Sequence, residues 1–275
     1  MNKKIGWMNY KWKNIKDINI SIRDRGVKFS DGLFETILVK NNKPIFLNEH
    51  LIRFEKSLNI LNFCSEIDHA FTSEIINKGI NKLNLKNKEY GSIRINYSRG
   101  LNIERSIKIN ELNTYFDPKN LWIEFYSIKI NSNNIIVNIC QTEKRNEFSL
   151  VSKFKTFNYN QSIQALIEAK QKKFEDSLLL NTQNELCCGT TFNILLQRNN
   201  EWLTPRKESG CLRGIMIQKL LDLNLVKEAK LMPIFKKDDV LIAINSLSCK
   251  QIKKVDDLEF NKDFDTNYFW DILCP

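Results

Sequence analysis

Nothing in this sequence stays apolar long enough to cross a bilayer. Runs such as Ile135-Ile136-Val137 and Val240-Leu241-Ile242-Ala243-Ile244 stop far short of the roughly 20 residues a membrane helix needs. An apolar signal core is also missing, because the basic start Met1-Asn2-Lys3-Lys4 leads only into Ile5-Gly6-Trp7-Met8-Asn9. The expected location is the cytoplasm. The seven cysteines (64, 140, 187, 188, 211, 249 and 274) contain no CxxC spacing, which argues against a zinc site or a disulfide framework and for reduced thiols. No internal repeat and no low-complexity tract interrupts the chain.

What is present describes an ordinary soluble globular protein, with 42% hydrophobic and 27% charged residues. A length of 275 residues allows two domains, expected at 1–127 and 128–275, with a linker over 127–134. The net charge of +10 is spread along the whole chain. A solvated surface or an attraction for anionic small molecules explains that diffuse excess better than nucleic-acid binding does.

Residues 5–40 read as short strands and turns, with alternation from Leu33 to Val39 marking a half-buried strand. Asn48 is the expected N-cap of a helix carrying Leu51, Phe54, Leu58 and Leu61. A second helix is predicted over 67–83, and strands over 91–97, 121–126 and 135–140. In the second half a helix with Ile163, Leu166, Ile167 and Lys170 at helical spacing is followed by a buried strand at 177–180. Next comes a hairpin around Asn199-Asn200 joining 192–196 to 202–204. A last strand covers 240–244 and breaks at a polar turn, Asn245-Ser246-Leu247-Ser248.

Four places could carry chemistry. Lys155 lies between Phe154 and Phe157, where desolvation would lower its pKa and make the amine a nucleophile; a lysine snorkelling from a strand end fits the same residues. Arg53 on the flank of its helix could reach an anion, or simply face solvent. Arg99, at a strand end beside Gly100, could bind a carboxylate or only water. Gly210-Cys211-Leu212-Arg213-Gly214-Ile215-Met216 feeds a helix N-terminus, an arrangement that offers backbone N–H groups to phosphate and that also starts many helices without a ligand. His50, alone in a first helical turn, receives no role.

Taken in order, a co-linear set of segments resembles the class IV aminotransferase family of pyridoxal-phosphate enzymes. The set is Asp24-Arg25-Gly26, 29–36, 49–53, Ser98-Arg99-Gly100, Lys155-Thr156-Phe157-Asn158-Tyr159, Gly189-Thr190-Thr191-Phe192-Asn193-Ile194, Thr204-Pro205 and 210–215. The resemblance implies an α/β (α+β) fold with a small N-terminal α/β domain and a larger one with a barrel-like β core, the cofactor between them, and a homodimer. It implies that Lys155 forms the Schiff base and moves the proton at the substrate carbon, with Lys153 as its rival. Arg53, Gly214, Ile215 and Met216 would hold the phosphate, Tyr159 would stand near the ring oxygen, and Asn245 and Ser246 would lie at the same site. Arg99, Arg105 and Phe34 would meet the substrate.

Cys188 occupies the position where the family usually has a glutamate against the pyridine nitrogen. A thiol there would leave the ring a weaker electron sink, and Glu185, three positions earlier on a strand, points to the opposite face and is a poor substitute unless the loop is displaced. Ile217 stands where the family has an arginine. Asn245-Ser246-Leu247 is similar to the corresponding segment of the 4-amino-4-deoxychorismate lyases, which make 4-aminobenzoate on the folate route. The implied function is therefore that lyase, acting on an anionic small molecule, with aminodeoxychorismate synthase as pathway neighbour. Its alternatives are a D-amino-acid or branched-chain transaminase and a catalytically reduced binding protein.

Overall fold

The computed structural model describes residues 4–64, 66–86, 89–102, 104–109 and 115–275. The chain divides into two compact units, one of residues 1–130 with 155–158 and one of 131–154 with 159–275. The four residues Lys155–Asn158, which the sequence boundary places in the second domain, thus belong to the first unit.

The first unit is built on a six-stranded antiparallel sheet. Its strands are β1 (Lys4–Met8), β2 (Lys11–Asn14), β3 (Gly32–Lys40), β4 (Lys43–Pro44), β5 (Tyr90–Ser98) and β6 (Leu121–Ile128), in the order β2-β1-β6-β5-β3-β4. Its helices are α1 (Arg25–Phe29), α2 (Leu47–Ile60) and α3 (His69–Leu83). Helix α1 was not expected; the Asp24 side chain accepts from the Gly26 N–H and starts a turn inside a stretch read as strands. The N-cap of α2 is Phe46, in the left-handed region at φ 54°, so Asn48 lies in the first turn and caps nothing. Leu51, Phe54 and Leu58 are buried, as their spacing predicts.

Strand β4 pairs with β3 only at Val39 and Lys40, which leaves the start of β3 without a strand neighbour on that edge. Lys155–Phe157 fills it. Phe34 N–H donates to the Lys155 carbonyl at 2.9 Å, and Phe157 N–H donates to the Gly32 carbonyl at 2.9 Å. These two bonds explain why the segment folds with the first unit.

The second unit is a curled, barrel-like mixed sheet. Its strands are β7 (Ile135–Arg145), β8 (Asp176–Asn181), β9 (Leu186–Gly189), β10 (Asn193–Arg198), β11 (Glu201–Pro205), β12 (Lys227–Ala229), β13 (Val240–Asn245), β14 (Ser248–Val255) and β15 (Leu258–Glu259). They run β12-β11-β10-β13-β14-β7-β8-β9, with β15 on β14. Val137, Leu178, Leu186, Ile194, Leu241 and Ile252, from six strands, share one core. The β10–β11 hairpin turns at Asn199 and Asn200, both at positive φ (52° and 64°), the primed geometry expected of a two-residue turn.

Helices α4 (Asn160–Gln171), α5 (Ile215–Asp222) and α6 (Asn267–Leu273) complete this unit. Helix α4 buries the small residues Ser162, Ala165 and Ala169, whereas Ile163 and Ile167 are exposed. The apolar spacing in the sequence therefore marks the wrong face. Small side chains let the helix axis approach the sheet closely, and Glu168 locks it there by accepting from the Gln141 and Thr142 N–H groups of β7.

Candidate functional site

In the first unit Lys155 is brought to Phe34 by the backbone pairing just described. Its Nζ lies 4.2 Å from the centre of the Phe34 ring, and the Arg94 guanidinium carbon sits 3.6 Å from the same ring centre. The lysine as a residue is half-buried, but its amine end is enclosed. Burial, reinforced by the Arg53 and Arg94 charges and opposed by Glu35, pushes the amine down to about 8. About a tenth of the amine is then neutral and nucleophilic at pH 7. Lys153, the rival, is exposed in a short helical turn of the second unit.

Strand alternation turns Glu35 to the face opposite Phe34. There His50 and Arg53, three residues apart on α2, meet its fully buried carboxylate. Arg53 Nε donates to Oε1 at 2.7 Å and Arg53 Nη2 to Oε2 at 2.6 Å, while His50 Nδ1 is 2.8 Å from Oε2. Burial raises the Glu35 carboxyl, but the Arg53 charge and the His50 hydrogen bond outweigh it and hold the group at about 2. Burial lowers the His50 pKa, which keeps the ring neutral with Nδ1 as the donor. Its Nε2 has no hydrogen-bond partner among the described residues.

Glu35, His50 and Arg94 received no role from the sequence. The i, i+3 spacing of His50 and Arg53 opposite a glutamate on an otherwise apolar strand was the available signal for the first two. Arg94, a cation in the middle of the alternating segment 91–97, was the signal for the third.

The other substrate candidates fare differently. Arg99 is a structural residue: its Nε donates to Asp31 at 2.9 Å, its two terminal nitrogens donate to the carbonyls of Asn62 (2.5 Å) and Leu61 (3.1 Å), and its plane covers Phe63. That commitment corrects its assignment to a substrate carboxylate. Arg105 is exposed in a loop. Phe34 forms the floor under the amine.

Gly32 leaves the room this arrangement needs, because a Cβ there would lie 2.1 Å from the Phe157 ring. Gly32→Ala is expected to cost about 1–3 kcal/mol by overpacking and to displace the strand segment that carries Lys155. The check is a paired measurement of melting temperature and cofactor content. A variant that keeps both would show that the segment yields freely.

In the second unit Tyr159 is the N-cap residue of α4, and its carbonyl accepts from the Ile163 N–H at 2.8 Å. Helix α5 starts at Gly214 with no side-chain cap. Asn193 fixes that start: its Oδ1 accepts from Gly214 N–H at 3.1 Å and its Nδ2 donates to the Leu212 carbonyl at 2.9 Å. A Cβ on Gly214 would fall 2.2 Å from Asn193 Oδ1, so a larger residue there would push Asn193 out of its two bonds. Ile215, Met216 and Ile217 are buried just beyond. Asn245 builds its own turn, accepting from Leu247 N–H at 2.8 Å and Ser248 Oγ at 3.2 Å; its Nδ2 donates to the Thr191 carbonyl at 3.3 Å. Ser246 is half-buried within that turn.

At Cys188 the Cys187 thiol and then the Arg145 guanidinium act against burial and pull the thiol below its ordinary range. Glu185 is no substitute, since its buried carboxylate is taken by Arg206 and Lys230, each at 2.9 Å.

The first unit thus holds a nucleophilic amine beside cationic side chains, and the second a helix start without a side-chain cap. Among the described residues no cluster suited to a metal ion occurs, and no helix is long and apolar enough to cross a membrane.

The profile of the family described as amino-transferase class IV matches residues 32–255. A Methanocaldococcus jannaschii protein assigned as a branched-chain-amino-acid aminotransferase is 25% identical over 216 residues, covering 76% of this chain and 70% of that one. The crystal structure of a Legionella pneumophila protein assigned as a 4-amino-4-deoxychorismate lyase superposes with a TM-score of 0.79 at 25% identity, covering 94% and 96% of the two chains. A Mycobacterium tuberculosis aminotransferase in its PLP-bound form superposes with a TM-score of 0.82 at 14% identity over 98% and 97%.

Proposed function

The chain belongs to the class IV aminotransferase family of pyridoxal-phosphate enzymes, and from that premise we propose that it is a lyase converting 4-amino-4-deoxychorismate to 4-aminobenzoate and pyruvate. The observation that carries the enzymatic reading is the Lys155 amine, over the Phe34 ring and pushed down to about 8 by burial and by the Arg53 and Arg94 charges against that of Glu35.

When bound, the cofactor supplies an aldehyde for an amine and a ring that accepts an electron pair from the adjoining carbon. Lys155 would hold the cofactor through its amine and would carry the proton to and from the substrate carbon. Arg94, stacked on Phe34 beside that amine, orients a substrate carboxylate. Arg53 in the first unit and the N–H groups of Ile215 and Met216 in the second serve the phosphate. Tyr159 serves the ring oxygen, and Cys188 serves the ring nitrogen. Glu35 and His50 keep Arg53 in place.

Support for elimination over amino transfer comes from the Asn245-Ser246-Leu247 turn and from the Legionella neighbour. Loss of pyruvate also makes the substrate ring aromatic, which gives the reaction a driving force of its own. The second reading is a transaminase, supported by the Methanocaldococcus relative. The test supplies aminodeoxychorismate, generated in place by its synthase, and measures 4-aminobenzoate, with amino donors and 2-oxoglutarate in parallel. Product in the second assay alone reverses the ranking, and a protein that stays colourless with added cofactor removes both readings. A homodimer is part of the same proposal, checked by sedimentation.

Arg94→Gln is expected to raise KM about tenfold or more with a smaller change in kcat, the scale of one charge-assisted hydrogen bond lost from bound substrate. An unchanged KM would remove Arg94 from substrate binding.

A further inference from the structure

Strand alternation gives the sheet of the first unit two unlike faces. One is apolar and carries Ile37, Ile93, Ile95, Ile123 and Phe125, all fully buried. The other carries Phe34 on β3, Arg94 and Asn96 on β5, and Trp122, Glu124 and Tyr126 on β6. On it Phe34 stands opposite Asn96, Asn96 opposite Trp122, and Arg94 opposite Glu124. This is the face to which the Lys155 amine is brought.

Arg94 and Glu124 are cross-strand neighbours of opposite charge, the arrangement that favours a direct ion pair. Here the carboxylate is engaged elsewhere. Its Oε1 accepts from Asn96 Nδ2 at 3.1 Å and from Trp122 Nε1 at 3.2 Å, and its Oε2 accepts from the Tyr126 hydroxyl. Asn96 is buried and turns its other end to Arg94, whose Nε donates to Oδ1 at 2.8 Å. One amide therefore stands between the two charges. Burial and Glu124 push the Tyr126 hydroxyl well above its ordinary range, so it stays protonated and remains the donor.

We propose that Asn96 and Tyr126 are positioning residues for the Arg94 site: they keep Glu124 engaged within the sheet face, so that the guanidinium meets a carboxylate of the bound molecule and not its own cross-strand neighbour. The assignment rests on the reading of Arg94 given above and on neither the lyase nor the transaminase reaction. Three donors occupy most of the roughly four acceptor positions of a carboxylate, and removing the hydroxyl opens Oε2 to the guanidinium. An Arg94 closed onto Glu124 is neutralised in a half-buried place and attracts an incoming anion far less.

The experiment titrates the purified, cofactor-loaded protein with benzoate, and with benzamide as an uncharged probe of the same shape, and reads binding by calorimetry. Wild type is expected to prefer benzoate, and Arg94→Gln to remove the preference. Tyr126→Phe keeps the ring and loses only the hydroxyl; it should weaken benzoate about tenfold, the scale of one charge-assisted hydrogen bond, and leave benzamide unchanged. Asn96→Asp, which sets an anion against Arg94 Nε, should do the same. Adding Glu124→Gln to Tyr126→Phe should restore benzoate binding, because the competing anion is gone, whereas a merely structural Tyr126 predicts a further loss. Circular dichroism confirms that each variant is folded, and the Tyr126 arm decides if Asn96→Asp is not. A wild type without the preference, or an Arg94→Gln variant that keeps it, overturns the Arg94 reading and this proposal together. A preference that depends on Arg94 but survives Tyr126→Phe, or that Glu124→Gln does not restore, overturns the positioning role and leaves the Arg94 reading standing.

Discussion

Lys155→Met is expected to abolish turnover and, in the cofactor-free protein at neutral pH, to raise the melting temperature. The first effect follows from the chemistry: without the amine no covalent attachment to the cofactor forms, and the proton transfers at the substrate carbon lose a group worth roughly 10²- to 10⁴-fold by themselves. The second follows from the fold. A lysine whose pKa falls from 10.5 to about 8 on folding carries a charge that the folded state disfavours. The difference corresponds to ~3 kcal/mol of destabilisation, fully present below pH 8, shrinking as pH rises between the two values, and gone above about 10.5. Methionine is similar in size and has no charge to bury.

The check is a pair of melting curves across pH 7 to 10.5, with borohydride fixation of the cofactor followed by mass measurement. The variant should be more stable at pH 7, the gap should close toward the alkaline end, and only the wild type should retain fixed cofactor. If the variant fixes cofactor and Lys153→Met does not, the assignment of the lysine was wrong. A variant that is less stable at pH 7 would mean that the Phe34 and Glu35 contacts favour the ammonium more than burial opposes it. Strained, charged groups of this kind are where function is kept at the expense of stability.

Much of the frame was legible because it rests on periodicity. The alternation of 33–39 and the spacing of Leu51, Phe54 and Leu58 mark β3 and α2 directly, and those two elements carry Phe34, Glu35, His50 and Arg53. Local rules cannot report pairing partners distant in sequence. Nothing around Lys155 says that it joins β3, since that depends on β4 being only two residues long and leaving an edge open. Arg99 shows the same limit: a strand-end arginine beside glycine describes a ligand site and a structural clamp equally well, and only the positions of Asp31, Leu61 and Asn62 decide between them.

Charge states were less legible than positions. Cys188 reads as a thiol by type, and only its surroundings, with Arg145 43 residues earlier in the chain, pull it below the ordinary range. Helix α4 misleads for a different reason, because its buried face is made of Ser162, Ala165 and Ala169, residues that no hydrophobic pattern highlights. Close packing of small side chains is invisible to a count of apolar ones.

The second large effect belongs to Glu35→Gln. The carboxylate is fully buried and holds Arg53 through two bonds and His50 through a third, so the amide leaves a guanidinium with one fewer charged acceptor in a place water does not reach. Removing one partner of a buried ion pair costs about 3–5 kcal/mol. Part of that cost has a pH signature. The carboxyl is depressed to about 2 from its ordinary value of 4.5, so its ionised form contributes ~3 kcal/mol that is fully present above pH 4.5 and lost as pH falls through 2. Urea unfolding of wild type and variant between pH 7 and 3 should therefore show a gap that is constant down to about 4.5 and then narrows. A gap of the same size at both ends of that range would place the cost in packing and leave the charge without a role. In the same variant Arg53 is no longer held by two carboxylate oxygens, and Lys155 loses the Glu35 charge that favours its ammonium. The pH at which the amine reacts with a small aldehyde should consequently move below 8, a readout that a purely structural Glu35 would leave unchanged.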